Sequence, residues 1–382
     1  MRRALTAVAL PALAFAAAAV PARFIENHIY VPVEVAGVER QWILDTGAGA
    51  SVIDEGFAGE LGLAEAEGEV TAVGAGGAVA ASFVTVPGFE VAGMELDGQP
   101  MVALGITQLM RRNTGTEPAG ILGHDFLSRF VTRIDYAAQT VTFYRPGEFE
   151  YEGEGAALPM TFTCNIPAVE MTVEDSCRGM WRLDIGASFS TFHQQSAARY
   201  RLAERPGVDR MAGAVGGLQR VRLVRFDHAE LAGTRVEGPV IAVPLEEPVG
   251  ALAVAELDGT LGNSILRNFT VYLDYPGQRV VLEKGGDFGT PFVLDRSGLQ
   301  VVRSDSGGYQ VQYVAADTPA AAAGFLAGDE VIAVGGRSPE EVGGLSALRE
   351  LMRAEPGTRY RFRVRRAGED VELELVLAEL LD

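Results

Sequence analysis

Positive charge is scarce in this chain. Thirty-two Lys and Arg face 51 Asp and Glu across 382 residues, a formal net charge of −19, and Lys284 is the only lysine. So acidic a molecule repels nucleic-acid phosphates, which excludes nucleic acid as a partner. Histidine and cysteine are also few. The four histidines (His28, His124, His193, His228) form no HExxH or paired-ligand pattern, and Cys164 and Cys177 lack CxxC spacing. No metal site and no cofactor is therefore expected. Beyond the first twenty residues no apolar run is long enough to cross a bilayer, so no transmembrane segment is expected in the mature chain.

The N-terminus reads as an export leader over residues 1–22. Met1-Arg2-Arg3 supplies the positive start, Leu5 to Val20 is an Ala- and Leu-rich run broken by Pro11, and Val20-Pro21-Ala22 offers small residues for cleavage. An exported chain, periplasmic or secreted by a bacterium, is the expectation. No Cys lies near the cut, which argues against a lipid anchor. Cys164 and Cys177 bracket a strand-like segment, Asn165 to Glu174, that ends in an Asp175-Ser176 turn. Read as the ends of a hairpin in an oxidising compartment, they are expected to form a disulfide.

The strongest signal is an internal repeat. Trp42-Ile43-Leu44-Asp45-Thr46-Gly47-Ala48 returns 139 residues later as Trp181-Arg182-Leu183-Asp184-Ile185-Gly186-Ala187. The same offset relates Gly120-Ile121-Leu122-Gly123 to Gly259-Thr260-Leu261-Gly262, and Arg133-Ile134-Asp135-Tyr136 to Tyr272-Leu273-Asp274-Tyr275. Residues 25–150 read as many short strands punctuated by Gly, Asp and Pro, with short helices around Ile53 to Leu61 and Gly123 to Phe130. Residues 160–285 repeat the order, which predicts a mostly β protein built as a pair of partly closed barrels. After Gly285 to Pro291 the character changes. Residues 292–382 alternate strands with a Pro-opened helix from Thr318-Pro319 and a helix from Gly344 to Ala354, a small α/β module.

Two Asp-x-Gly turns after apolar strands bring paired carboxyls within reach of each other. Such a pair shares a proton: the ionised member takes a proton from water while the protonated member hydrogen-bonds a substrate carbonyl. Both motifs, each followed at equal distance by an apolar-apolar-Gly segment, resemble the aspartic proteases, closest to the retropepsin-like bacterial members with both lobes fused. The resemblance covers about residues 25 to 285. It implies catalytic Asp45 and Asp184, supporting Thr46, Gly47, Ile185 and Gly186, and a peptide or unfolded protein as substrate. It further implies glycine-rich hairpins over the substrate, at Val73-Gly74-Ala75-Gly76-Gly77 and at Gly213-Ala214-Val215-Gly216-Gly217. Ordinary turns are the alternative reading of these glycines.

Ile185 departs from the family, which has Thr or Ser there. In the resemblance Thr46 accepts from the Ile185 N–H and donates to the Leu183 carbonyl, and Ile185 cannot reciprocate. Ser51 and Ser190 each follow their Asp by six residues without an evident histidine partner, and read as turn-supporting hydroxyls. The C-terminal module resembles a PDZ domain, with Ser297-Gly298-Leu299-Gln300-Val301 as a loop whose N–H groups capture a peptide C-terminus. A monomer is expected. Two functions stay open: an aspartic endopeptidase, or a non-catalytic peptide-binding protein on the same scaffold.

Overall fold

The computed structural model describes residues 18–64, 70–246, 250 and 256–381. Residues 1–17 of the expected leader lie outside them. Two ten-stranded sheets follow the same strand order. In each, a glycine-rich hairpin forms one end: Val70–Gly74 with Gly77–Val86 in the first lobe, Val208–Ala214 with Gly217–Arg225 in the second. At the centre the strand leading to an Asp (Val38–Leu44 or Cys177–Leu183) lies parallel to a short strand, Gly120–Leu122 or Gly259–Leu261. Gly120 and Gly259 are required at that crossing. A Cβ on either would come within 2.2 or 2.3 Å of the Trp42 or Trp181 ring, and both indoles are fully buried.

A six-stranded sheet joins the lobes. Its middle pair is Val131–Asp135 against Phe269–Asp274, in a register that sets Arg133 opposite Tyr272. Those two residues are repeat equivalents, so the register places an approximate twofold axis between them. Apolar side chains of both lobes merge into one core that includes Trp42, Leu44, Leu122, Trp181, Ile185 and Leu261. Burial alternates along outer strands such as Gly77–Val86 and Phe89–Val91, as period-two side-chain placement requires, while central strands such as Val240–Pro244 are buried at every position. The fold is mostly β and two-lobed, and the short helices Glu55–Glu60 and His124–Leu127 fall within the expected stretches.

Two expectations need correction. Residues 18–22 belong to the fold. Ala18–Pro21 is an outer strand of the joining sheet, paired with Thr140–Tyr144, and Ala22 N–H donates to the Gln139 carbonyl. Its counterpart at the other edge is Ala156–Pro159, where Met160 N–H donates to the Gln278 carbonyl. A cut at Ala22 would strip this strand away. The disulfide is also absent: Cys164 is an exposed free thiol and Cys177 a buried one. Ile166–Val173 is a single eight-residue strand, with Cys164 in the tight turn before it and Cys177 just past the turn after it. A strand of that length spans about 26 Å, far beyond disulfide reach.

The C-terminal module is a five-stranded sheet with its own core of Leu299, Val301, Phe325, Leu345, Leu348 and Phe362. Leu299–Arg303 is its outer strand, and the Gly344–Leu351 helix packs beside it. The chain end then returns to the second lobe, where Leu381 packs with Val221, Leu223, Val240 and Ala242.

Candidate active site

Asp45 and Asp184 each leave the end of a central strand, pinned by a backbone bond to the neighbouring apolar strand. Asp45 N–H donates to the Leu122 carbonyl at 3.1 Å, and Asp184 N–H to the Leu261 carbonyl at 3.0 Å. Within each turn the carboxylate accepts from the following glycine: Gly47 N–H to Asp45 Oδ1 at 2.6 Å, Gly186 N–H to Asp184 Oδ1 at 2.9 Å. The two turns face each other so closely that a Cβ on Gly47 would lie 2.5 Å from Asp184 Oδ2. One on Gly186 would lie 2.2 Å from Asp45 Cγ. Glycine is therefore the residue type this approach admits. Each carboxyl thus lies against the opposite turn, and the two are electrostatically coupled.

Their electrostatics differ. Desolvation first, then the charge of Asp184, pushes Asp45 well above the usual carboxylate range. Desolvation raises Asp184 too, but Arg182 and the hydrogen bond from Asp45 pull it back. Both are thus held above the usual range, and the pair shares one proton between them.

Supporting contacts lie beneath. Thr46 Oγ1 donates to the Leu183 carbonyl at 2.6 Å and accepts from the Ile185 N–H at 3.0 Å. Ile185 is fully buried in the shared core, and its carbonyl accepts from Asn263 Nδ2 at 2.6 Å. Asn263 in turn receives Tyr136 Oη–H at 2.6 Å and donates to the Asn27 carbonyl at 2.7 Å. Ser51 Oγ accepts the Gly123 N–H and Ser190 Oγ the Gly262 N–H, each at 3.0 Å, so these hydroxyls hold the apolar-apolar-Gly segments under the turns. Ser51 also donates to Asp125. Ser188 Oγ donates to the Glu26 carbonyl beside a half-buried His28, bracing the Glu26-Asn27 turn. Asn263, Asp125 and Arg182 carried no local motif; only their equivalence in the repeat to His124, Ser264 and Ile43 marks their places.

The two glycine-rich hairpins meet tip to tip. Gly76 N–H donates to the Val215 carbonyl, and Gln219 Nε2 to the Ala75 carbonyl, both at 2.8 Å. A Cβ on Gly74 would strike Val215, one on Gly76 would strike Gly217, and one on Gly216 would strike Gly77. Gly213 lies in the strand before the second tip, against Asn113. An apolar recess opens beside the tips, lined by Val79, Leu104, Ile106, Leu109, Val215 and Leu218.

The loop expected to capture a peptide terminus is occupied internally. Ser297 and Gly298 N–H groups donate to Asp295 Oδ1 at 2.9 and 2.7 Å, and Leu299 N–H to Ser297 Oγ at 2.9 Å. Asp295 already supplies the carboxylate, so Gly298 and Leu299 offer no free donor here. Gln300 and Val301 bond elsewhere, as described below.

Residues 31–126 match the family model described as aspartyl protease, and residues 286–377 the model described as PDZ domain. A serine protease Do-like HtrA from Lactobacillus helveticus is 27% identical over 195 residues, 50% of this chain and 42% of that protein. The chain thus spans less than half the length of that relative. The crystal structure of an aspartic proteinase from Irpex lacteus aligns over 72% of this chain and 99% of its own, with 13% identity and a TM-score of 0.47. The chain thus carries a first-lobe stretch that matches the aspartyl protease model and a C-terminal stretch that matches the PDZ domain model.

Proposed function

We propose that this protein is an exported aspartic endopeptidase in which Asp45 and Asp184 share one water between two lobes. The observation that carries this reading is the carboxyl pair on two equivalent, glycine-walled turns that face each other. Asp184, the ionised member, takes a proton from the attacking water. Asp45 donates its proton toward the scissile carbonyl oxygen, giving a neutral tetrahedral diol. Collapse of the diol sends a proton to the amide nitrogen and breaks the C–N bond, and the dyad returns to a single shared proton. The substrate lies in extended form under the hairpin tips, which part to admit it.

Export is proposed from the leader-like residues 1–17, with the cut upstream of Ala18; Ala14-Phe15-Ala16 offers the small-x-small pattern that a signal peptidase reads. The PDZ module is proposed to act on peptides in the manner of its domain type. Incubating the purified protein with a reduced, unfolded protein at acid and neutral pH, with and without pepstatin, tests the enzyme reading. Pepstatin-sensitive cleavage supports it. Absence of cleavage at every pH leaves the peptide-binding scaffold, for which the isoleucine at position 185 is the favouring observation.

A further inference from the structure

Two sheet edges face each other where the PDZ module meets the second lobe. Val208–Ala214 is the outer strand of the lobe's sheet and forms the first arm of the second glycine-rich hairpin; Leu299–Arg303 is the outer strand of the PDZ sheet. Gln300 bridges them. Its Nε2 donates to the Met211 carbonyl at 2.7 Å and its Oε1 accepts the Met211 N–H at 3.0 Å. Met211 sits opposite Arg220 within the hairpin, so the groups that Gln300 takes point outward from it. One carboxamide thereby supplies the donor and acceptor that a neighbouring strand would present to an open edge. The adjacent Arg210 lies over the Phe189 ring, 5.3 Å away, which ties the same strand to the loop following Asp184.

The PDZ edge is covered as well. The Val301 carbonyl accepts from Arg349 Nη2 at 2.8 Å, and Arg349 Nη1 lies 3.1 Å from Glu26 Oε2 of the first lobe, both side chains largely buried. The first-lobe helix Ile106–Thr114 runs against the Leu299–Arg303 strand, and its terminal Gly115 abuts Leu345 of the PDZ helix. This is the edge at which a PDZ domain adds a peptide as an extra strand.

We propose that the PDZ module is a clamp in cis: its resting ligand is this chain's own second hairpin and first lobe, and it holds that hairpin closed over the cleft. An extended peptide taking the edge must first displace Gln300 from Met211 and Arg349 from Val301, which frees the hairpin. Occupation of the module and opening of the cleft are thereby coupled. The inference rests on the reading of the hairpins as lips over the Asp45–Asp184 pair.

Hydrogen exchange on the full chain tests it, in an Asp45→Asn background so that self-digestion plays no part. Gln300→Ala is expected to speed exchange of the Met211 amide and of residues 208–220 at least tenfold, while residues 309–334 of the module keep their protection. Arg349→Gln, which cuts the second anchor without touching Gln300, is expected to give a smaller rise in the same segment. With Asp45 intact, Gln300→Ala should raise kcat/KM on a short quenched-fluorescence peptide several-fold. Unchanged exchange across 208–220 in both variants overturns the clamp. Faster exchange with no cleavage by either parent or variant leaves the clamp standing and overturns the protease reading instead.

Discussion

Asp45 and Asp184 have the same backbone setting and different neighbours, and this gives their substitutions distinct signatures. Asp45→Asn and Asp184→Asn are each expected to reduce kcat by about a hundredfold or more, because neither carboxyl can serve as both acid and base; near-native turnover in either would exclude a shared dyad. Stability adds a second readout. The folded pKa of Asp45 is raised by burial and by Asp184, so its protonated form stabilises the fold fully below the unfolded value of roughly 4. That contribution is lost as pH rises through the folded pKa. Asp45→Asn mimics the protonated form and is expected to raise the thermal midpoint at pH 7 while leaving it nearly unchanged at pH 3. At position 185, threonine would sacrifice part of an apolar burial worth about 1.5–3 kcal/mol and regain a hydrogen bond worth about 0.5–1.5 kcal/mol. Ile185→Thr is therefore expected to change stability little and to raise turnover, as steady-state kinetics and thermal melts together would show. The aspartates, Thr46 and the serines at 51 and 190 were legible in the sequence because a repeat fixes their spacing. Asn263 and Gln300 were not, since each acts on backbone 78 and 89 residues away and no local pattern encodes that.

Single strands decided which readings of the elements failed. The eight residues Ile166–Val173 separate the cysteines as a rigid rod, where the sequence read a fold-back. Unreduced protein treated with an alkylating reagent is accordingly expected to carry label on both thiols after unfolding. In the native state Cys164 should react first, because Cys177 is buried and its pKa raised by that burial; a labelled count of zero would restore the disulfide. The Ala18–Pro21 strand was masked by composition, since an alanine-rich run reads as leader whichever side of the cut it lies on. The signal that distinguishes them was present, in the equivalence of Val20-Pro21 to Leu158-Pro159 at the opposite sheet edge. Under the proposed export, N-terminal sequencing of the processed protein is expected to begin upstream of Ala18, and a chain started at Arg23 should melt at lower temperature than one started at Ala17.

Across the whole molecule, the PDZ module is less separable than its own core implies. Its outer strand meets both lobes, and the tail beyond it covers Val221, Leu223, Val240 and Ala242 with Leu381. Leu381→Ala is expected to cost about 2–3 kcal/mol in urea unfolding. Deletion of residues 292–382 should leave the sheets of the lobes paired but expose this apolar patch, so the truncated chain is expected to self-associate in sedimentation while retaining strand content. A truncated chain that stays monomeric and as stable as the parent would show the tail to be ornamental. The boundary at 285–291 was visible as a change of character; the docking was not, because it is written in isolated side chains on distant strands.

The opposition of Arg133 and Tyr272 has one further consequence. A perfectly duplicated molecule would offer its shared proton two resting places of equal energy, and every turnover would begin from an even mixture of mirror-related protonation states. Arg182, standing where the first lobe has Ile43, is a charge that only one repeat carries; it draws both carboxyls down and removes the equivalence of their surroundings. The duplication thus retains the geometry of a symmetric pair but not its indifference: the two halves of the cleft differ in charge.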